Sequence, residues 1–191
     1  VKNSKEIPKF KSAFPRTLLV EIEGIISNIN ITTKHVASRD FTIFLKGEKI
    51  EIPYRIYWEV STLSEDTLND IQKLILACIL TRHHNGFIRE ENLNKLFSSD
   101  AYWTIPFIIQ LTGEYVVEIL EFIFENFDLL DKQNVLRFIL ENKSYWQKTK
   151  QRIASYWNCY YRYGKNSKKG NYVGFRLIEK IESLEVENIE F

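Results

Sequence analysis

Methionine is absent from all 191 residues, cysteine occurs twice, proline four times and glycine seven times. So little Gly and Pro excludes a collagen-like chain, and with 45% apolar and 27% charged residues the low-complexity and intrinsically disordered classes fall away as well. Long apolar runs are also missing. The stretch Leu74 to Leu80 is far short of the roughly 20 residues that a bilayer-crossing helix needs, so no membrane partner is expected. Cys78 and Cys159 lie 81 positions apart and provide neither a disulfide framework nor a zinc-ligand pattern. With no signal peptide legible ahead of them, a reducing, cytoplasmic setting is expected, and no cofactor. Val1 in place of an initiating Met leaves the true N-terminus open.

What is present is enough for one folding unit with a sizeable core. The formal net charge of +1 conceals a gradient: Lys and Arg against Asp and Glu number 10 to 7 over residues 1 to 60, 6 to 12 over 61 to 140, and 10 to 6 over 141 to 191. The middle is acidic and the ends are basic, and eight of the last ten cations lie between Lys143 and Lys169.

Residues 1–16 read as an extended arm, Lys-rich and interrupted by Pro8 and Pro15. Residues 17–60 read as a β-element. Leu18 to Glu23, Phe41 to Leu45 and Ile50 to Ile52 are strand-like, and Lys46-Gly47-Glu48-Lys49 reads as a four-residue hairpin loop. Ile50, Ile52, Tyr54, Ile56 and Trp58 alternate onto one apolar face, and Pro53 marks an edge strand. Residues 61–183 read as helical, with a tail at 184–191. Thr62 or Ser64 is the expected cap of a central helix whose stripe is Leu68, Ile71, Leu74, Ile75, Cys78 and Ile79. His83 to Gly86 ends it, and Ile88 to Phe97 forms the next. A short helix runs from Thr104 through Pro106 to Leu111, then one from Tyr115 to Phe127, one capped by Asp131, and a long one from Tyr145 to about Tyr163 capped by Ser144. Tyr172 to Ile181 favours helix over strand, with the acidic chain from Glu182 fraying. The fold class is therefore α+β, mainly α, with a small N-terminal antiparallel β-element packed on a helical domain.

Two stretches align at an offset of 27: Gly86, Glu91, Leu93, Leu96 and Phe97 with Gly113, Glu118, Leu120, Ile123 and Phe124. Gly86 and Gly113 are expected to be backbone breaks, with positive φ or a close helix contact. The run Asn85-Gly86-Phe87-Ile88-Arg89-Glu90 resembles the start of the second helix in HEAT-like repeats of bacterial helical-repeat proteins, over about residues 83–142. That resemblance implies binding along a stacked helix face, to proteins or nucleic acids.

Chemistry-bearing groupings are few. His83-His84 beside Cys78 and Glu90 lacks any spacing that supplies further ligands, so no metal is expected and a helix-terminal role is the simpler reading. Cys78 falls on a buried stripe, and Gly164 to Gly170 lacks the strand, loop and helix order of a phosphate-binding loop. Glu114, Glu118 and Glu121 could act as acid or base only if Glu114 or Glu118 shared a cleft with Trp103, Tyr156 or Arg152. The helix from Tyr145 to Tyr163 carries most information. Trp146, Thr149, Ile153, Trp157 and Tyr160 fall on one stripe, read as core. Lys148, Arg152, Ser155, Cys159 and Arg162 fall on another, which places cations beside tyrosines. The candidate partner-binding residues are Lys148, Arg152, Tyr156, Arg162, Lys165, Lys168 and Lys169. They point to a non-catalytic protein-binding or scaffolding module, in its specific form an immunity-type partner of a bacterial toxin or effector. The alternatives are a nucleic-acid-associated helical module using the same face, and a hydrolase or glycosylase on a helical-repeat scaffold.

Overall fold

The computed structural model describes residues 10–28, 39–57, 65–163 and 168–187. The architecture is α+β and mainly α, with a two-stranded antiparallel sheet as its β part. By contacts the chain falls into two units, Val1–Leu96 and Phe97–Phe191.

In the first unit the described part of the arm is packed rather than extended. Phe10, Ala13 and Phe14 are buried, and the Glu51 amide donates to the Ser12 carbonyl at 2.8 Å. Leu18 to Glu23, expected as a strand, is helical: a 3-10 turn over Arg16–Leu18 leads into α1, Leu19–Asn28. Ile22 and Ile25, three apart, are buried while Val20 is exposed, so the run obeys a helical period despite its β-branched content. Burial on one helix face outweighs the weak preference of Val and Ile for strands. Strands β1, Asp40–Leu45, and β2, Glu48–Pro53, form the hairpin, in register from Asp40 opposite Pro53 to Leu45 opposite Glu48. The connection is two residues rather than four. Lys46 and Gly47 have φ of 52° and 80°, the left-handed pair whose twist matches that of the strands. Ile43, Leu45, Ile50, Ile52 and Ile56 are buried and Tyr54 is half-buried, in keeping with the expected alternation; Trp58 lies outside the described residues.

Helix α2, Asp70–Leu80, starts later than expected and is capped by Asn69. The Asn69 side chain accepts from the Gln72 amide at 2.9 Å, and Gln72 accepts in return from the Asn69 amide at 3.2 Å. Thr62 and Ser64, the expected caps, lie outside the described residues. Of the predicted stripe Ile75, Cys78 and Ile79 are buried, but Ile71 is exposed and Leu74 half-buried, because the inward face is centred on the C-terminal half. Helix α3, Gly86–Leu96, packs on α2, and α1 also packs on α2. Arg89 is buried and donates from Nη1 to the carbonyls of His83 and His84, at 2.9 Å each. Those carbonyls follow the end of α2, where backbone acceptors lack helical partners.

In the second unit a 3-10 turn over Tyr102–Thr104 leads into α4, Ile105–Thr112, whose eight residues are all buried. Here, rather than in α2, lies a helix enclosed on every side. Around it pack α5 (Val117–Asn126), α6 (Lys132–Glu141) and α7 (Lys143–Tyr156), while α8 (Val173–Glu187) packs on α5, α6 and α7. Asp131 caps α6 as expected, accepting from the amides of Gln133 and Asn134. Ser144 does not cap α7, which already includes it. A single residue, Asn142, joins α6 to α7 and turns its side chain back to the Phe138 carbonyl at 3.0 Å. Beyond Glu182 the chain stays helical to Glu187, held by buried Leu184 and by the Lys150 to Glu182 ion pair at 2.6 Å. Of the two stretches related by 27 positions, Gly86 to Leu96 is α3 in the first unit while its last match, Phe97, opens the second, and Glu118 to Phe124 lies on α5 with Gly113 ahead of it at the end of α4.

Candidate functional site, a tyrosine-rich helical surface

Helix α7 does not continue as an α-helix to Tyr163. At Trp157–Tyr161 it widens into a π turn, closed by the Arg162 amide donating to the Trp157 carbonyl at 2.9 Å. Each π turn inserts one residue, so side chains beyond it are rotated by about 100° relative to an uninterrupted helix. Trp146, Thr149 and Ile153, before the turn, are buried as the stripe requires, and Trp157 is half-buried against Phe175, edge to face at 5.7 Å. Tyr160, expected in the core, is instead 65% exposed. Tyr161 takes the inward position and stacks on the buried Tyr172 at 5.0 Å.

That one-residue shift builds a surface. Tyr160 turns outward beside Tyr156 and beside Tyr115 from the α4 to α5 connection, and the three ring centroids are 6.0, 6.2 and 6.2 Å apart. Tyr161 secures the connection from behind, its hydroxyl donating to the Tyr115 carbonyl at 2.6 Å. The Tyr161 hydroxyl pKa is raised, first by burial and then by the carboxylates of Glu118 and Glu121 on α5.

On the other side runs the cationic face of α7. Tyr145, Lys148, Gln151, Arg152 and Ser155 line a shallow depression of about 380 Å³. Lys148 is exposed and, among the described residues, makes no ion pair. Arg152 is half-buried and partly committed: Nη2 donates to Gln110 Oε1 at 3.2 Å and to Thr149 Oγ1 at 2.8 Å. Gln110 Oε1 also accepts from the Tyr145 hydroxyl at 2.5 Å, so a buried amide on α4 fixes the floor of the depression. Gly113 is left bare for the same reason. A Cβ there would lie 3.3 Å from Arg152 Nε, and its φ of −93° is ordinary, so close approach rather than a left-handed turn accounts for it. Gly86 has neither feature, since its nearest neighbour, Arg89 Nη2, would be 3.7 Å from a Cβ and its φ is not positive.

The remaining candidates are distributed as follows. Tyr156 is half-buried within the tyrosine cluster. Arg162 is exposed, hydrogen-bonded to Asn158 at 3.0 Å and placed over the Tyr163 ring at 5.6 Å. Lys168 is exposed, while Lys165 and the side chain of Lys169 lie outside what is described. Lys150, counted in the basic run, is neutralised locally by Glu182. The structure therefore brings Lys148, Arg152, Tyr156 and Arg162 onto one helix and its π turn. Tyr115 and Tyr160 belong to the same surface and were missed: Tyr115 reads as the start of a helix but stands on the connection before it, and only the inserted residue shows that Tyr160 rather than Tyr161 faces out.

Neither Glu114 nor Glu118 lines the depression. Glu114 is buried and Glu118 exposed on α5, so no pair of carboxylates faces this space. Cys78 is buried, which raises its thiol pKa, and Cys159 is exposed. In the first unit, buried His83 accepts from the Asn85 amide at 3.1 Å through Nδ1, and the exposed His84 ring stacks with Tyr57 at 5.7 Å. The described residues hold no group of three or more His, Cys, Asp or Glu that could enclose a metal ion. No helix among them is long and apolar enough to cross a membrane. Comparison with protein-family models, with curated proteins and with solved structures finds no match.

Proposed function

We propose that this chain is a non-catalytic protein-binding module, and that its partner docks on the surface formed by α7, the π turn and Tyr115. The observation that carries this reading is the outward cluster of Tyr115, Tyr156 and Tyr160, with exposed cations, Lys148 and Arg162, along the same helical segment and exposed carboxylates, Glu118 and Glu121, on the helix that follows Tyr115. Tyrosine offers large contact area at little entropic cost and is enriched in protein interfaces. Mixed charge around it suits a protein surface, which can present both signs. It suits a polyanion poorly. The second unit carries 12 Lys and Arg against 13 Asp and Glu, so its basic helix is not backed by a net positive field. The helical-repeat likeness over residues 83–142 supports binding along helix faces. In its specific form the module is a cytoplasmic immunity-type partner of a bacterial toxin or effector, with an acidic patch meeting Lys148 and Arg162.

The test uses the double variant Lys148→Glu, Arg162→Glu, which alters two exposed cations and spares Arg152 and its contacts with Gln110 and Thr149. Affinity capture from the native host is expected to recover an acidic protein with the wild type and lose it with the variant, association slowing as salt rises. Labelled single- and double-stranded DNA should bind weakly near physiological salt. Sub-micromolar, steeply salt-dependent DNA binding that the variant loses would replace this reading with the nucleic-acid one.

A further inference from the structure

The tyrosine cluster has the makings of a receptor for one particular side chain. Tyr115 and Tyr160 are 49% and 65% exposed, and with half-buried Tyr156 they form a cluster of rings 6.0 to 6.2 Å apart that is open to solvent. An aromatic face carries the negative lobe of the ring quadrupole and attracts cations. Glu118 and Glu121, three residues apart on α5, share an exposed helix face close after Tyr115, and among the described residues neither is engaged in an ion pair. Both sources of potential have the same sign. The cluster is also fixed in advance, since Tyr161 joins its hydroxyl to the Tyr115 carbonyl and its ring to buried Tyr172, so little ordering cost remains to be met on binding. The chain makes this kind of contact internally: the Arg176 guanidinium lies 4.1 Å from the centroid of Phe124, and Arg162 lies 5.6 Å from that of Tyr163.

We propose that Tyr115, Tyr156 and Tyr160, together with Glu118 and Glu121, receive an arginine side chain presented by the protein partner. This rests on the protein-binding reading above and adds a second subsite to it. Acidic groups of the partner would meet Lys148 and Arg162, and an arginine would lie on the tyrosines. A phosphate or carboxylate would be repelled by Glu118 and Glu121, and a neutral apolar side chain would leave those carboxylates unused. A planar guanidinium satisfies both, stacking on a ring while donating to a carboxylate.

The probe is the peptide acetyl-Gly-Arg-Arg-Gly-amide, with its citrulline counterpart as the neutral isostere, titrated into the full chain carrying ring-labelled tyrosine and followed by NMR. The ring signals of Tyr115, Tyr156 and Tyr160 should shift saturably with the arginine peptide and bind the citrulline peptide more weakly. Glu118→Gln with Glu121→Gln should weaken arginine binding about two- to fivefold, the range for exposed ion pairs, and Tyr160→Ala, which removes a ring under the cation, should weaken it further. Equal binding of the two peptides, insensitivity to both carboxylate substitutions, or no saturable shift would overturn the assignment. Because Lys148 and Arg162 are not used in this readout, its failure is distinguishable from loss of the acidic partner.

Discussion

Gly174 and Tyr172 show how a single atom decides a position. A Cβ on Gly174 would sit 2.5 Å from Tyr172 Cε1 and 2.7 Å from Ile153 Cγ2, and both of those side chains are fully buried with no room to yield. Gly174→Ala is therefore expected to cost about 1–3 kcal/mol of stability, the usual range for overpacking, even though alanine is the better helix former. Tyr172 itself carries a hydroxyl that finds no hydrogen-bond partner among the described residues, and burial raises its pKa. Removing an unsatisfied buried hydroxyl restores nothing to water and relieves a desolvation penalty. Tyr172→Phe should therefore be neutral or stabilising by up to about 1 kcal/mol. Urea unfolding of the two variants beside wild type checks both signs; a Gly174→Ala protein as stable as wild type would mean that the Tyr172 ring moves freely.

At the scale of elements, caps and turns set boundaries that periodicity leaves loose. Asp131 accepts from two amides at the start of α6, and Asp131→Ala should cost about 1 kcal/mol, read as a lowered midpoint with an unchanged denaturant slope. That cap was legible because Asp stands directly before a helical run of Val135, Phe138 and Ile139. Other boundaries were not. Thr62, at capping-box spacing from Glu65, and Ser64 were the expected caps, whereas the reciprocal bonds of Asn69 with Gln72 identify the residue at which α2 begins. Leu18 to Glu23 alternates apolar and polar residues over its last four positions, so period two and period 3.6 fit equally until Ile25 extends the pattern. The hairpin was legible in its strands, yet its turn was read two residues too long because Glu48 and Lys49 are polar on an exposed edge while still pairing. The π turn left no mark at all in the sequence. Its insertion turns Tyr160, expected on the core stripe, outward and puts Tyr161 in its place, so Tyr160 stayed hidden while Tyr156 and the cations Lys148 and Arg162 were found.

At the scale of the whole chain, the proposed interface lies entirely within the second unit, Phe97–Phe191. This unit holds a helix with eight consecutive buried residues, and Ile119, Leu120, Ile123, Val135, Phe138, Ile139, Ile153, Leu177 and Ile181 of the helices around it are buried too. At roughly 25 cal/mol per Å² of apolar surface, a core of this density in about a hundred residues is of the size that folds alone. The fragment 97–191 is therefore expected to show helical circular dichroism and a single cooperative thermal transition. It should also retain the tyrosine ring shifts produced by the arginine peptide. By contrast, Thr17 to Trp58 contains, among the described residues, one α-helix and one hairpin, too little apolar surface to offset about 1–2 kcal/mol of backbone ordering per residue, and should remain unfolded alone. A non-cooperative melt of fragment 97–191, with loss of dispersion in its NMR spectrum, would show that this core is not sufficient by itself to fold the unit.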